Sequence, residues 1–143
     1  MTSQRGFSLI EALIALLVLS LGLVGVAAMQ LKALQSASVG YQRSVASVAA
    51  VDAQERLWAQ LATLDPDETC KNINIEAVET AWKNHWFQED DHSPLRGALP
   101  SLSSIGTDEA TDGCRISINV ALSDEDADQF DYSFRLPLIG NSS

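Results

Sequence analysis

From Phe7 to Met29 the chain is apolar at nearly every position, and the only charged residue among them is Glu11. About 18 apolar residues with few or no charges suffice to suggest a membrane span. A carboxylate inside such a span costs roughly 2.5–3.5 kcal/mol on insertion scales, so an acid placed there calls for a partner. Beyond Met29 the pattern turns amphipathic. Leu34, Tyr41, Val45, Val48, Trp58, Leu61 and Leu64 recur at helical spacing. The two stretches together predict one helix, apolar all round over 7–29 and carrying the remainder of the chain on that stripe over 30–64. No proline occurs before Pro66. An uninterrupted helix over 7–64 would be ~85 Å long. Asp65-Pro66-Asp67 ends it, because proline disfavours helix at the residue before it. Gly22, Gly25 and Gly40 lie inside the helix, each at about 1 kcal/mol relative to Ala. Close helix packing by small residues accounts for Gly22 and Gly25 better than local softening does.

After the helix the polar pattern predicts smaller elements. Asn74 can cap a helix over 75–89, with Val78, Ala81, Trp82, His85 and Trp86 on one face as core. Ser93-Pro94 reads as an N-cap followed by proline at the first helical position, opening a short helix. Residues 100–113 have loop composition. Two stretches then alternate with period two. Cys114, Ile116, Ile118, Val120 and Leu122 point one way, and Phe130, Tyr132, Phe134 and Leu136 do the same in the second. That pattern predicts an antiparallel pair with one buried face, packed on the helix stripe. Pro137 closes the second strand, and Gly140-Asn141-Ser142-Ser143 would fray. The fold class is therefore α+β: a long N-terminal helix packed against a small antiparallel sheet, with residues 65–143 forming the head.

Charge sharpens the division. The chain carries a net charge of −10, yet residues 65–143 hold five basic and sixteen acidic residues, a net of −11. Such a head repels phosphate backbones, so no nucleic-acid partner is expected. Arg5 precedes the apolar stretch, and the positive-inside tendency keeps it cytoplasmic and places the acidic head outside.

The junction itself reads Gly6-Phe7-Ser8-Leu9-Ile10-Glu11. It resembles the cleavage signal of type IV prepilins and pseudopilins. The resemblance implies that a prepilin peptidase cuts between Gly6 and Phe7, leaving 1–6 as leader, and that Phe7 becomes N-methylated. Glu11 then becomes the fifth mature residue, paired with the terminal amine of a neighbouring subunit. A buried acid and a buried ammonium, each costly alone, are tolerable together, so Glu11 would act as a register device. Leu13-Ile14-Ala15-Leu16-Leu17-Val18-Leu19-Ser20-Leu21-Gly22-Leu23-Val24-Gly25, Tyr41-Gln42-Arg43-Ser44 and Ala53-Gln54-Glu55-Arg56-Leu57 are similar to the PilV-type minor pilins, or type IV pilus modification proteins. That likeness implies a protein of the inner membrane, then of the pilus, with other minor pilins, the major pilin and a large tip adhesin as partners. Major pilins often carry a helix-breaking proline in the stalk, and this chain has none there. A minor pseudopilin of a type II secretion system is an alternative that the junction does not separate. A periplasmic binding protein with a cleaved secretion signal, starting near Met29, is an alternative of another class. Glu11 and the length of the apolar run speak against it.

Other chemistry is sparse. Cys70 and Cys114 are the only cysteines, and outside the cytoplasm a bridge between them is expected, with buried free thiols as the other reading. His85, Glu89 and His92 have spacing that permits metal ligation, but Pro94 disturbs the last turn and ordinary surface histidines explain them. Asp124, Asp126 and Asp128 resemble the start of a calcium loop. Gln129 and Arg135 stand where glycine and an acid are required, so that match fails. No cofactor, metal or enzyme activity is expected.

Overall fold

The computed structural model describes residues 8–88, 93–95, 97–108, 114–125 and 128–138. Gly6, Phe7, Glu89, His92, Asp126 and the terminal Gly140–Ser143 lie outside them. The chain divides into two units, Met1–Gly40 and Tyr41–Ser143. One helix, α1 (Leu9–Leu61), supplies the described part of the first and opens the second. It runs without a break through Gly22, Gly25 and Gly40. It stops at Leu61, ahead of Asp65-Pro66, through tight turns in which Thr63 N–H donates to Gln60 O and Leu64 N–H to Leu61 O. Every described residue of the first unit is exposed, as suits a helix whose surroundings are lipid or other helices.

In the second unit α1 is followed by a 3-10 turn (Cys70–Asn72), then α2 (Ile75–Trp86), β1 (Ser104–Asp108), β2 (Arg115–Ala121) and β3 (Gln129–Arg135). The strands form one antiparallel sheet in the order β1-β2-β3. This is the pilin-like α+β arrangement, a long N-terminal helix packed against a three-stranded sheet. Ile116, Ile118 and Val120 of the central strand are fully buried. Their neighbours across the ladder include Ile105, Tyr132 and Phe134. Leu136 continues the buried face past β3, its N–H donating to Cys114 O at 2.9 Å.

The stripe on α1 differs from the expected one. The buried residues are Ala46, Ala49, Ala50, Ala53, Leu57 and Leu61. Val45 and Leu64 are half-buried, whereas Leu34, Tyr41, Val48 and Trp58 are exposed. Alanine contributes little to a hydropathy pattern, so the larger residues dominate the reading. Its small side chain has a different effect in the fold, because it lets partners approach the helix backbone. Trp82 uses that access, its indole N–H reaching the Ala49 carbonyl at 2.8 Å.

The loop expected over 100–113 contains β1. Of its five residues only Ile105 is buried, and no apolar residue recurs at period two along the strand. Pairing with β2 holds it in place, together with the Ile105 N–H, which donates to Glu79 Oε2 at 3.1 Å. The expected cap of α2 is present, Asn74 Oδ1 accepting from Ala77 N–H at 3.0 Å. The helix ends at Trp86, short of 89, and buries Val78, Trp82 and Trp86. Ala81 and His85 are exposed, since the inward row follows strict i, i+4 steps. Ser93-Pro94 starts no helix. The Ser93 hydroxyl donates back to Trp86 O at 2.8 Å, and Pro94-Leu95 forms a turn that buries Leu95.

Candidate functional site

Two regions carry chemistry. The first is the start of α1. Ser8 O accepts from the N–H of Glu11 at 3.0 Å and of Ala12 at 3.3 Å, which opens the helix. Glu11 thus lies in the first turn, where the helix dipole favours a negative charge. It is exposed, among leucines and isoleucines that are exposed too, and makes no ion pair among the described residues. Among those residues α1 alone is long and apolar enough to cross a membrane. Gly22 and Gly25 have open space where a Cβ would stand, so no part of this chain requires their smallness. The expected cleavage and methylation residues, Gly6 and Phe7, lie outside the described residues.

The second region is the seam that fastens the head to α1. Asp52 is its centre. Its Oδ2 accepts from Trp86 Nε1 at 2.8 Å and from Arg56 Nε at 2.7 Å. Burial pushes the Asp52 carboxyl up, but the bonds from Trp86 and Arg56 and the charges of Arg56 and His85 outweigh it and hold its pKa below the ordinary value. Farther along, Tyr132 of β3 donates its hydroxyl to Gln54 Oε1 at 2.6 Å. Arg43 on α1 lies 3.8 Å from Asp128. These links escape sequence reasoning because their partners are as much as 78 residues apart. A partial signal exists in the i, i+4 pair Asp52/Arg56, and in two tryptophans whose buried N–H groups must find acceptors.

The Asp52 contacts make a pH prediction. A carboxyl with a lowered folded pKa adds stability above its unfolded value of about 3.9 and loses it as pH falls through the folded one. The parent should therefore melt above Asp52→Asn at neutral pH. The gap should shrink below about pH 3.9 and close once the pH passes the lower folded value. Thermal melts of both chains between neutral and acid pH measure it, and a constant gap would refute the assignment.

Cys70 and Cys114 are bridged, with Cα atoms 5.6 Å apart, and both are buried. The bond ties the turn after α1 to the entrance of β2. Among the described residues no cluster of histidine, cysteine and acids is suited to a metal. His85 instead stacks edge-on against Trp86, with ring centroids 5.4 Å apart. Asp128 accepts from the Ser123 hydroxyl at 3.2 Å, as in a solvated turn.

Residues 1–27 match the family described as the prokaryotic N-terminal methylation motif. Comparison with curated proteins and with solved structures gives no match. The matched segment is the N-terminal methylation motif of prepilins and pseudopilins.

Proposed function

We propose that this chain is a minor pilin of a type IV pilus. It is held in the inner membrane by the apolar part of α1, cut between Gly6 and Phe7 by a prepilin peptidase, and methylated at Phe7. It then enters the pilus beside other minor pilins, the major pilin and a large tip adhesin, as the likeness to PilV-type proteins suggests. The observation that carries this reading is Glu11, an exposed acid without an ion-pair partner among the described residues, on the apolar first half of α1 and inside the matched motif. α1 continues unbroken past Met29 into the second unit, which favours retention of the whole helix over removal as a secretion signal.

The terminal amine of a neighbouring subunit satisfies Glu11 on assembly. Removing one member of a buried ion pair costs about 3–5 kcal/mol, more than about 100-fold in occupancy. Glu11→Ala should therefore be cleaved normally but be missing from sheared filaments. Intact mass of the membrane-extracted chain, with and without the peptidase, reads the first step, and immunoblots of filaments read the second. Normal incorporation of the variant would remove the role of Glu11. A product beginning near Met29 would remove the filament reading altogether.

A further inference from the structure

Within the second unit the head leaves one face of α1 bare. The helix residues it buries, Ala46, Ala49, Ala50, Ala53, Leu57 and Leu61, lie on one side. Tyr41, Val48, Val51 and Trp58 lie on the other and are 41% to 66% exposed. Steps of three and four residues alternate along that side, from Tyr41 through Ser44, Val48, Val51 and Glu55 to Trp58. In the sequence the same spacing extends back through Ala37 to Leu34. A repeat averaging about 3.5 residues is that of a helix wrapped on a second helix, whereas a lone straight helix repeats at about 3.6. Tyr41, Val48 and Glu55 then hold the a positions of a heptad, and Ser44, Val51 and Trp58 the d positions. The surface has the matching relief. Val51, Gln54, Glu55 and Trp58 line a hollow of about 320 Å³. Four residues of one helix at such spacing form the hole that receives a single side-chain knob in a coiled coil. The Tyr132 hydroxyl, bonded to Gln54 Oε1 at 2.6 Å, fixes one wall of it.

We propose that this face of α1 docks a helix of another protein, which lays an apolar heptad seam along it and sets a lysine or arginine into the hollow beside Glu55. Val48, Val51 and Trp58 supply the apolar contact, and the large, rigid indole of Trp58 supplies most of it. Glu55 selects the occupant. It is exposed and makes no ion pair among the described residues. An apolar side chain seated over it would strip water from a carboxylate and return no hydrogen bond, which also keeps hydrocarbon off this face. A basic side chain meets the charge instead. A single polar layer of that kind fixes register and partner at some cost in stability. A second copy of this chain is the wrong occupant. Paired in parallel, it would set Glu55 against Glu55, and like charges brought together repel. Paired the other way, it has no base to offer. Neither the seam from Tyr41 to Trp58 nor the positions flanking it, Val45, Ser47, Asp52, Gln54 and Ala59, holds a lysine or arginine.

The probe is a fluorescein-labelled helical peptide of three heptads, with valine at a, leucine at d, and lysine in place of the central valine. It is titrated by anisotropy against the full chain in nanodiscs, with empty nanodiscs as background and at peptide concentrations where it is monomeric alone. Saturable binding with Kd below about 1 mM is expected. The same peptide with glutamate for the lysine should bind about tenfold more weakly. In the chain Glu55→Lys the order of the two peptides should invert, and Trp58→Lys should abolish binding of the lysine peptide. Absence of binding up to about 1 mM overturns the proposal. So does binding indifferent to the exchange of lysine for glutamate or to Trp58→Lys, which would place the peptide elsewhere. A chain that self-associates, and loses that association in Trp58→Lys, assigns the face to a second copy and overturns it as well. The two peptides against the parent chain decide the matter even if the variants fail to fold. They ask nothing of cleavage at Gly6, so a failure here is distinct from a failure of the filament reading.

Discussion

A chain with Cys70→Ala and Cys114→Ala is expected to unfold roughly 15–30 °C below its parent. The bridge spans 44 residues of sequence. Closing a loop of that size restricts the unfolded chain by about 4 kcal/mol in the entropy model. For a domain of this size each kcal/mol shifts the midpoint by about 4–8 °C. The bridge matters because the segments it joins have little else in common. The turn at Cys70–Asn72 is three residues long and held by the Thr69/Asn72 capping box, and β2 is the central strand. Near-UV circular dichroism melts of the detergent-extracted chain, with and without reductant, test it. The parent should fall toward the double variant when reduced, and the variant should ignore the reductant. A shift of only a few degrees would mean that the apolar contacts around the two sulfurs carry this part of the head.

Trp82→Ala should cost about 3–5 kcal/mol, comparable with loss of the bridge, and Trp82→Phe distinctly less. Trp82 is 0% exposed and is the largest fully buried side chain of the head. It reaches the alanine stripe of α1 on one side and packs edge-to-face on Phe87 at 5.3 Å on the other. Alanine there opens a cavity that a helix and a sheet cannot collapse together to fill. Phenylalanine keeps most of the apolar volume and loses the indole N–H. The Ala49 carbonyl still has its own helical partner four residues on, so the bond to Trp82 is a second one, and its loss costs about 1 kcal/mol. Denaturant titration of the three chains ranks them. Equal costs for the two variants would move the weight of the contact from volume to the hydrogen bond.

These contacts show what kind of information a linear pattern holds. α2 was legible because Asn74 caps it and its buried residues return every fourth position. β2 and most of β3 were legible because their alternation is strict. β1 was not, since one buried isoleucine beside glycine and threonine has no period. The docking face of α1 was misassigned for a related reason. Patterns weight side chains by size and apolarity, whereas this face is chosen for closeness of approach, which favours alanine. The junction at Gly6 to Glu11 was legible because its meaning is local. The seam residues Asp52, Gln54, Trp86 and Tyr132 were not, because each becomes informative only once its partner, tens of residues away, is in place.

The alanine stripe also bears on the order in which the molecule is made. α1 rests on local contacts and forms as soon as it emerges, whereas its docking partners extend to Leu136, near the far end of the chain. During synthesis the stripe must wait uncovered beside other nascent chains. Four of its six buried residues are alanines, which offer a passing apolar surface far less area to adhere to than leucines would. The face that must stay bare longest is built from the side chains least able to find the wrong neighbour.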